Sequence, residues 1–149
     1  MAIGLMLLQE YHLLKKNRQQ FYVASGYSAT DGYFESPQNF HRFNLMGKYN
    51  AWFGNQSQLT ITASTFDSKW NASGQVPDRA VRNGMISRFG AIDDTEGGNT
   101  SRTNVSAKFN KQWKSNWKTT DQLYFSNYHF NLYSNFTFFL DDPINGDMI

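Results

Sequence analysis

Long runs of period-two alternation constrain this chain more than any other feature. Between Phe40 and Phe53, the residues Phe43, Leu45, Tyr49, Ala51 and Phe53 share one parity. Arg42, Asn44, Lys48 and Asn50 share the other. Successive side chains of a strand point to opposite faces, so the pattern predicts a strand with one apolar and one polar face. Leu59, Ile61 and Ala63 then alternate with Thr60, Thr62 and Ser64. For Phe53 and Leu59 to share a face, the turn between them should hold three residues, Asn55 to Ser57, a common hairpin length. From Ser101 to Trp113 the pattern recurs, with Val105, Ala107 and Phe109 on one side. Arg102, Asn104, Ser106, Lys108, Asn110 and Gln112 lie on the other, and Lys111 is the exception. Lys114 to Asn116 makes a further short turn that sets Trp113 opposite Trp117.

The rest of the chain follows the same plan less tidily. Phe21, Val23 and Tyr27 alternate with Ala24, Gly26 and Ser28, a strand. Residues 1–14 are compatible with strand or helix, since Leu and Met favour helix, and Lys15 to Gln20 reads as a turn. Asp31-Gly32 and Ser36-Pro37 mark a loop over 30–39. In residues 119–134 the apolar parity changes from Leu123 and Phe125 to Tyr128, Phe130 and Leu132; a bulge near Ser126 would reconcile the two. Asn135 to Ile149 opens another aromatic stretch and ends in a Pro/Gly loop.

Strands of a dozen residues exceed the globular mode of about 5–6. The connections alternate as well: long over 30–39, short at 54–57, long over 67–100, short at 114–116, long from about 135. Transmembrane barrels are built this way, with short periplasmic turns, longer extracellular loops, and apolar-out, polar-in faces. The expected fold is therefore all-β, an antiparallel meander of about 5–6 long strands forming part of a transmembrane β-barrel. Phe53, Trp113 and Trp117 would supply an aromatic girdle at the short-turn end. The alternative is a soluble β-sandwich module that binds carbohydrate on exposed aromatics. Aromatic and charged residues each make up 17% of the chain, which is unlike a disordered sequence. The net charge of +2 is too small to argue for nucleic acid. Cysteine is absent, which removes disulfides and thiolate metal sites. Ala2 to Leu8 is too short and lacks the flanks for a membrane helix or an export signal, so the expectation is that the natural N-terminus lies upstream or the chain stays in the cell.

The long loop carries the most specific sequence. Lys69 to Val81, Ile86 to Asp93 and Thr95 to Arg102 resemble the barrel region of Bacteroidetes-type TonB-dependent outer-membrane receptors. So do Gly32 to Phe40 with Arg42 to Asn44, and Leu132 to Leu140. The resemblance runs from about Phe21 to the C-terminus. It implies a bacterial outer-membrane location and uptake of a scarce ligand, such as a siderophore or another metal complex. It also implies energy from TonB, reached through an N-terminal plug, inside a plugged barrel of about 22 strands. Residues 1–149 contain no plug or TonB box and provide strands for about a quarter of such a barrel. The expectation is a partial barrel segment that needs the plug and the remaining strands, and does not transport alone. Under this reading Arg42, Asn44, Lys48, Asn50, Arg102, Asn104, Lys108 and Asn110 face the lumen. Phe43, Leu45, Tyr49, Phe53, Leu59, Ile61, Val105 and Phe109 face outer-membrane lipid.

No catalytic or cofactor-binding constellation is present. His12, His41 and His129 are dispersed without zinc spacing, and no Gly-rich phosphate loop opens a helix. Asp93, Asp94 and Glu96 form a solvated turn cluster rather than a cation site, and Asp141 to Asp147 lacks the ligands of a calcium loop. Within 67–100, Pro77 at a first helical position and Gly84 past the end outline a short helix. Trp70, Arg79, Arg82, Arg88 and Phe89 are the candidate ligand contacts there, since guanidinium suits an anionic ligand. The competing expectation is that these arginines pair with Asp78, Asp93, Asp94 and Glu96 and fold the loop on itself.

Overall fold

The alternation is realised as six strands in one sheet: β1 (Leu5–Lys16), β2 (Gln19–Thr30), β3 (Phe40–Phe53), β4 (Ser57–Asn71), β5 (Gly97–Gln112) and β6 (Lys118–Tyr133). This is a computed structural model that describes residues 5–16 as backbone, and residues 18–114, 116–135 and 144 in full. Strand order follows the chain, β1-β2-β3-β4-β5-β6, and every neighbouring pair is antiparallel. One short helix, α1 (Asp78–Arg82), interrupts the β4–β5 connection. The chain is thus all-β, a next-neighbour meander.

Register makes the sheet two-faced. Phe21, Tyr49, Ile61, Ala107 and Leu123 are successive partners across β2 to β6, and the next row is Val23, Gly47, Ala63, Val105 and Phe125. The other face carries rows such as Tyr22, Lys48, Thr62, Ser106 and Tyr124. On that polar face, directly opposed residues bond across the strands. Thr60 Oγ1 donates to Asn50 Oδ1 at 2.8 Å, Thr120 Oγ1 to Asn110 Oδ1 at 2.8 Å, and Ser126 Oγ to Asn104 Oδ1 at 2.8 Å. Opposed pairs of this kind add about 0.2–1 kcal/mol each and hold the register.

No second layer covers either face among the described residues. Among the described residues the only buried apolar side chains are Ala51 and Ala80. Leu45 is 41% exposed, Phe125 59% and Leu123 78%, all on the apolar face. A sandwich would need a facing sheet, and the described strands all lie in one.

Several boundaries differ from the sequence expectations. Leu5–Lys16 is strand, not helix, because it pairs along its length with β2. Residues 1–4 lie outside the described set. The turn expected over Lys15–Gln20 is shorter than that span, since Lys16 already pairs with Gln19. Arg18 takes φ 70° there. The three-residue turn is Gly54–Gln56, one residue earlier than expected, because Phe53 pairs with Ser57. It uses Gly54 at φ 61°. No bulge occurs near Ser126: β5 and β6 pair without a shift from Gly97↔Tyr133 to Gln112↔Lys118. The parity change in β6 is therefore a real change of face. Strands extend into the long loop from both sides, leaving 72–96 as the connection. The aromatic stretch expected over 135–149 lies mostly outside the described residues.

Helix α1 forms as expected within that connection, with Pro77 as its N-cap rather than its first residue. Its C-terminus closes as a Schellman motif: Gly84 N–H donates to Val81 O at 3.1 Å and Met85 N–H to Ala80 O at 2.9 Å. Gly84, at φ 69°, supplies the left-handed residue the motif requires.

Candidate functional site

The eight polar positions predicted to share a face do so. Arg42, Asn44, Lys48 and Asn50 of β3 and Arg102, Asn104, Lys108 and Asn110 of β5 sit at registers of one parity. Asn44, Phe66, Arg102 and Tyr128 form one continuous row across β3 to β6. A shallow depression of about 340 Å³ lies here, lined by Asn44, Ser64, Phe66, Arg102 and Asn104 among others.

Toward the long-loop end this face turns aromatic. The Arg102 guanidinium lies over the Tyr128 ring, 5.0 Å from its centroid. Tyr128 and Phe130 are near-parallel at 6.3 Å, and Phe130 meets Trp70 at 6.4 Å. Trp70 belongs to β4 rather than to the loop, and Gly98, its partner on β5, leaves space for the indole. Sequence reasoning missed Tyr128 and Phe130 because it explained their parity by a bulge. Counting register outward from the Trp113–Trp117 turn would have found them, since Trp113 N–H donates to Trp117 O at 2.7 Å.

The five loop candidates are not gathered in one place. Trp70 joins the aromatic row just described. Arg82 forms an exposed i,i+4 ion pair with Asp78 at 2.6 Å, as the self-folding alternative expected. Arg79 and Arg88 are exposed. Phe89 packs with the other long loop, edge-on to Tyr33 at 6.0 Å and tilted to Phe34 at 6.5 Å.

That contact belongs to a cap formed by the 31–39 and 72–96 connections together. Glu35 N–H donates to Phe89 O at 2.9 Å, Asn71 N–H to Gln38 O at 2.7 Å, Ser87 Oγ to Glu35 Oε1 at 2.5 Å and Ser36 Oγ to Asp94 Oδ1 at 2.5 Å. The segment after β6 closes the cap: Asn135, 1% exposed, donates its N–H to Glu96 Oε1 at 3.2 Å and its Nδ2 to Asp93 Oδ2 at 3.5 Å. Of the acids expected to pair with arginines, Asp78 does so, while Asp93, Asp94 and Glu96 bond to hydroxyls and to Asn135. Burial of Glu96 pushes its carboxyl above the ordinary glutamate value, the Asn135 N–H pulls against that, and the charge of Asp93 adds to it. Asp93 also feels burial, but donors from Thr95 (side chain and backbone) and Asn135 outweigh it and hold its carboxyl below the ordinary aspartate value. Among the described residues no three metal-ligating side chains of the His, Cys, Asp or Glu type converge.

No family model matches the chain, and comparison with curated proteins and with solved structures returns no match.

Proposed function

We propose that this chain forms part of the wall of a bacterial outer-membrane β-barrel of the TonB-dependent receptor type, which takes up a scarce small ligand and is not an enzyme. The observation that carries the reading is the single two-faced sheet with an uncovered apolar face. Phe43 and Phe53 bound that face on β3, about ten residues apart. At about 3.4 Å per residue and a strand tilt of about 40°, they are separated by about 26 Å vertically, close to the height of an outer-membrane apolar band. Tyr27 pairs with Phe43 at the upper margin, and Phe53, Trp113 and Trp117 lie at the short-turn end, as girdles do. In this reading the 31–39 and 72–96 cap faces outside the cell, and the polar face lines the lumen toward a plug through which TonB acts.

Unpaired backbone groups cost several kcal/mol each in lipid. The reading therefore calls for further strands along the outer edges of β1 and β6, in this polypeptide or beside it. The test is partition: the full chain, diluted from denaturant into lipid vesicles, should float with the lipid and show β-sheet circular dichroism. A protease-resistant monomer in detergent-free buffer that ignores vesicles would overturn the proposal and favour a soluble binding module.

A further inference from the structure

We infer that the polar face is an electropositive wall that attracts small anionic solutes bearing carboxylate, phosphate or sulfonate groups; the inference rests on the reading that this face borders water-filled space.

The charge distribution carries the inference. Arg42 and Lys48 on β3 and Arg102 and Lys108 on β5 share the face. Among the described side chains of β2 to β6, that face holds no carboxylate, and the strand acids Asp67 and Asp121 both have the opposite parity. None of the four cations has an ion-pair partner among the described residues, where the ion pair found is Arg82–Asp78 in the cap. The side chains between them are neutral, and Asn50, Asn104 and Asn110 already bond to opposing hydroxyls. The near-neutral net charge of the chain conceals this, because most acids of the described residues lie in the loops or on the other face, Glu10 of β1 being at a register of the polar parity.

Geometry sets the size of the solute. Arg42 and Arg102 make an upper tier and Lys48 and Lys108 a lower one, about 20 Å apart along the strands at about 3.4 Å per residue. Within a tier the two cations stand two strands apart, on the order of 10 Å, so one small anion fits between them. Tiers that far apart are screened from each other by physiological salt, whose Debye length is about 8 Å, so each attracts anions separately. A low-dielectric wall behind such charges focuses their field into the solvent in front. The depression at Asn44, Phe66, Arg102 and Asn104 lies beside the upper tier, with the Arg102 guanidinium positioned by Tyr128.

The absence of native cysteine makes the test clean. Asn44→Cys, Asn104→Cys and, on the apolar face, Ile61→Cys are introduced singly into the full chain in lipid vesicles. Each is labelled with sulfonate-bearing and trimethylammonium-bearing methanethiosulfonates, with rates normalised to a free thiol. At Asn44→Cys and Asn104→Cys the anionic reagent should react roughly tenfold faster than the cationic one, as focused fields accelerate association. Raising salt, or combining Arg42→Gln with Arg102→Gln, should bring the ratio toward one. A ratio near one, or in favour of the cation, at freely labelled polar-face cysteines overturns the inference and leaves the barrel reading intact. Labelling of Ile61→Cys as fast as Asn44→Cys overturns the barrel reading, and the inference with it.

Discussion

Glu96 stands where three segments meet: it immediately precedes β5, its backbone carbonyl accepts Ala72 N–H at 2.9 Å, and its carboxyl accepts Asn135 N–H. It is 4% exposed, and a side chain on Gly74 would collide with it, so the carboxyl is wedged in place. Its raised pKa fixes a sign. The stabilisation from its protonated form is complete below the ordinary glutamate value and is lost as pH rises through the raised one. Asp93 runs the other way, stabilising above the ordinary aspartate value and losing this as pH falls through its depressed one. The cap should be tightest in mild acid, where Glu96 is protonated and Asp93 ionised. Proteolytic nicking of 72–96 is therefore expected to be slower at the ordinary glutamate value, about pH 4.5, than near about pH 8. Glu96→Gln keeps an acceptor for Asn135 and should erase that difference; an undiminished pH dependence in Glu96→Gln would place the switch elsewhere. None of this was legible from the sequence, where Asp93, Asp94 and Glu96 read as a solvated cluster, because Asn135 reaches them only after β6 has crossed the sheet.

The strands themselves were largely legible. Alternation in residues 40–53, 59–64 and 101–113 identified β3, β4 and β5 and sorted their faces, because a one-residue slip would put every apolar side chain on the polar side. β1 was ambiguous because its residues suit helix locally, and only pairing with β2 decides the matter. β6 misled for a chemical reason: apolar residues at 128, 130 and 132 were read as apolar-face residues, whereas they sit with Trp70 and Arg102 on the polar face. Register also refines which position tests lipid contact. Leu45 shares its row with Ser25, Thr65 and Thr103, near the upper margin of the apolar band, whereas Ile61 is flanked by Tyr49 and Ala107 near the centre. In a membrane-inserted receptor carrying this segment, Ile61→Arg should cost about 2–4 kcal/mol and Leu45→Arg less, by denaturant titration, because the penalty falls toward the interfaces. Equal and negligible costs would refute the face assignment.

At the scale of the whole molecule, the described residues form no hydrophobic core to exclude solvent from the sheet's backbone. Stability comes from ladders, opposed side-chain pairs and the cap, so the interior strands β2, β3, β4 and β5 are held on both sides while β1 and β6 are held on one. Amide exchange in lipid should accordingly be slowest in β2 to β5 and fastest along β1 and β6, provided no further chain pairs with their outer edges. Uniform protection across all six strands would show that those edges are covered. The alternation of short and long connections that sequence reading used as its main argument reappears as a polarity of the object: tight turns at one end, a bonded cap at the other. Strict next-neighbour order has a further consequence. Among the described strands, each packs only on those adjacent to it in the chain, so a hairpin can be added, lost or duplicated at either margin without rethreading the rest. A sheet of this kind behaves as a modular ribbon, and the circumference of any enclosure it helps to build can change two strands at a time while the interior rows keep their alignment.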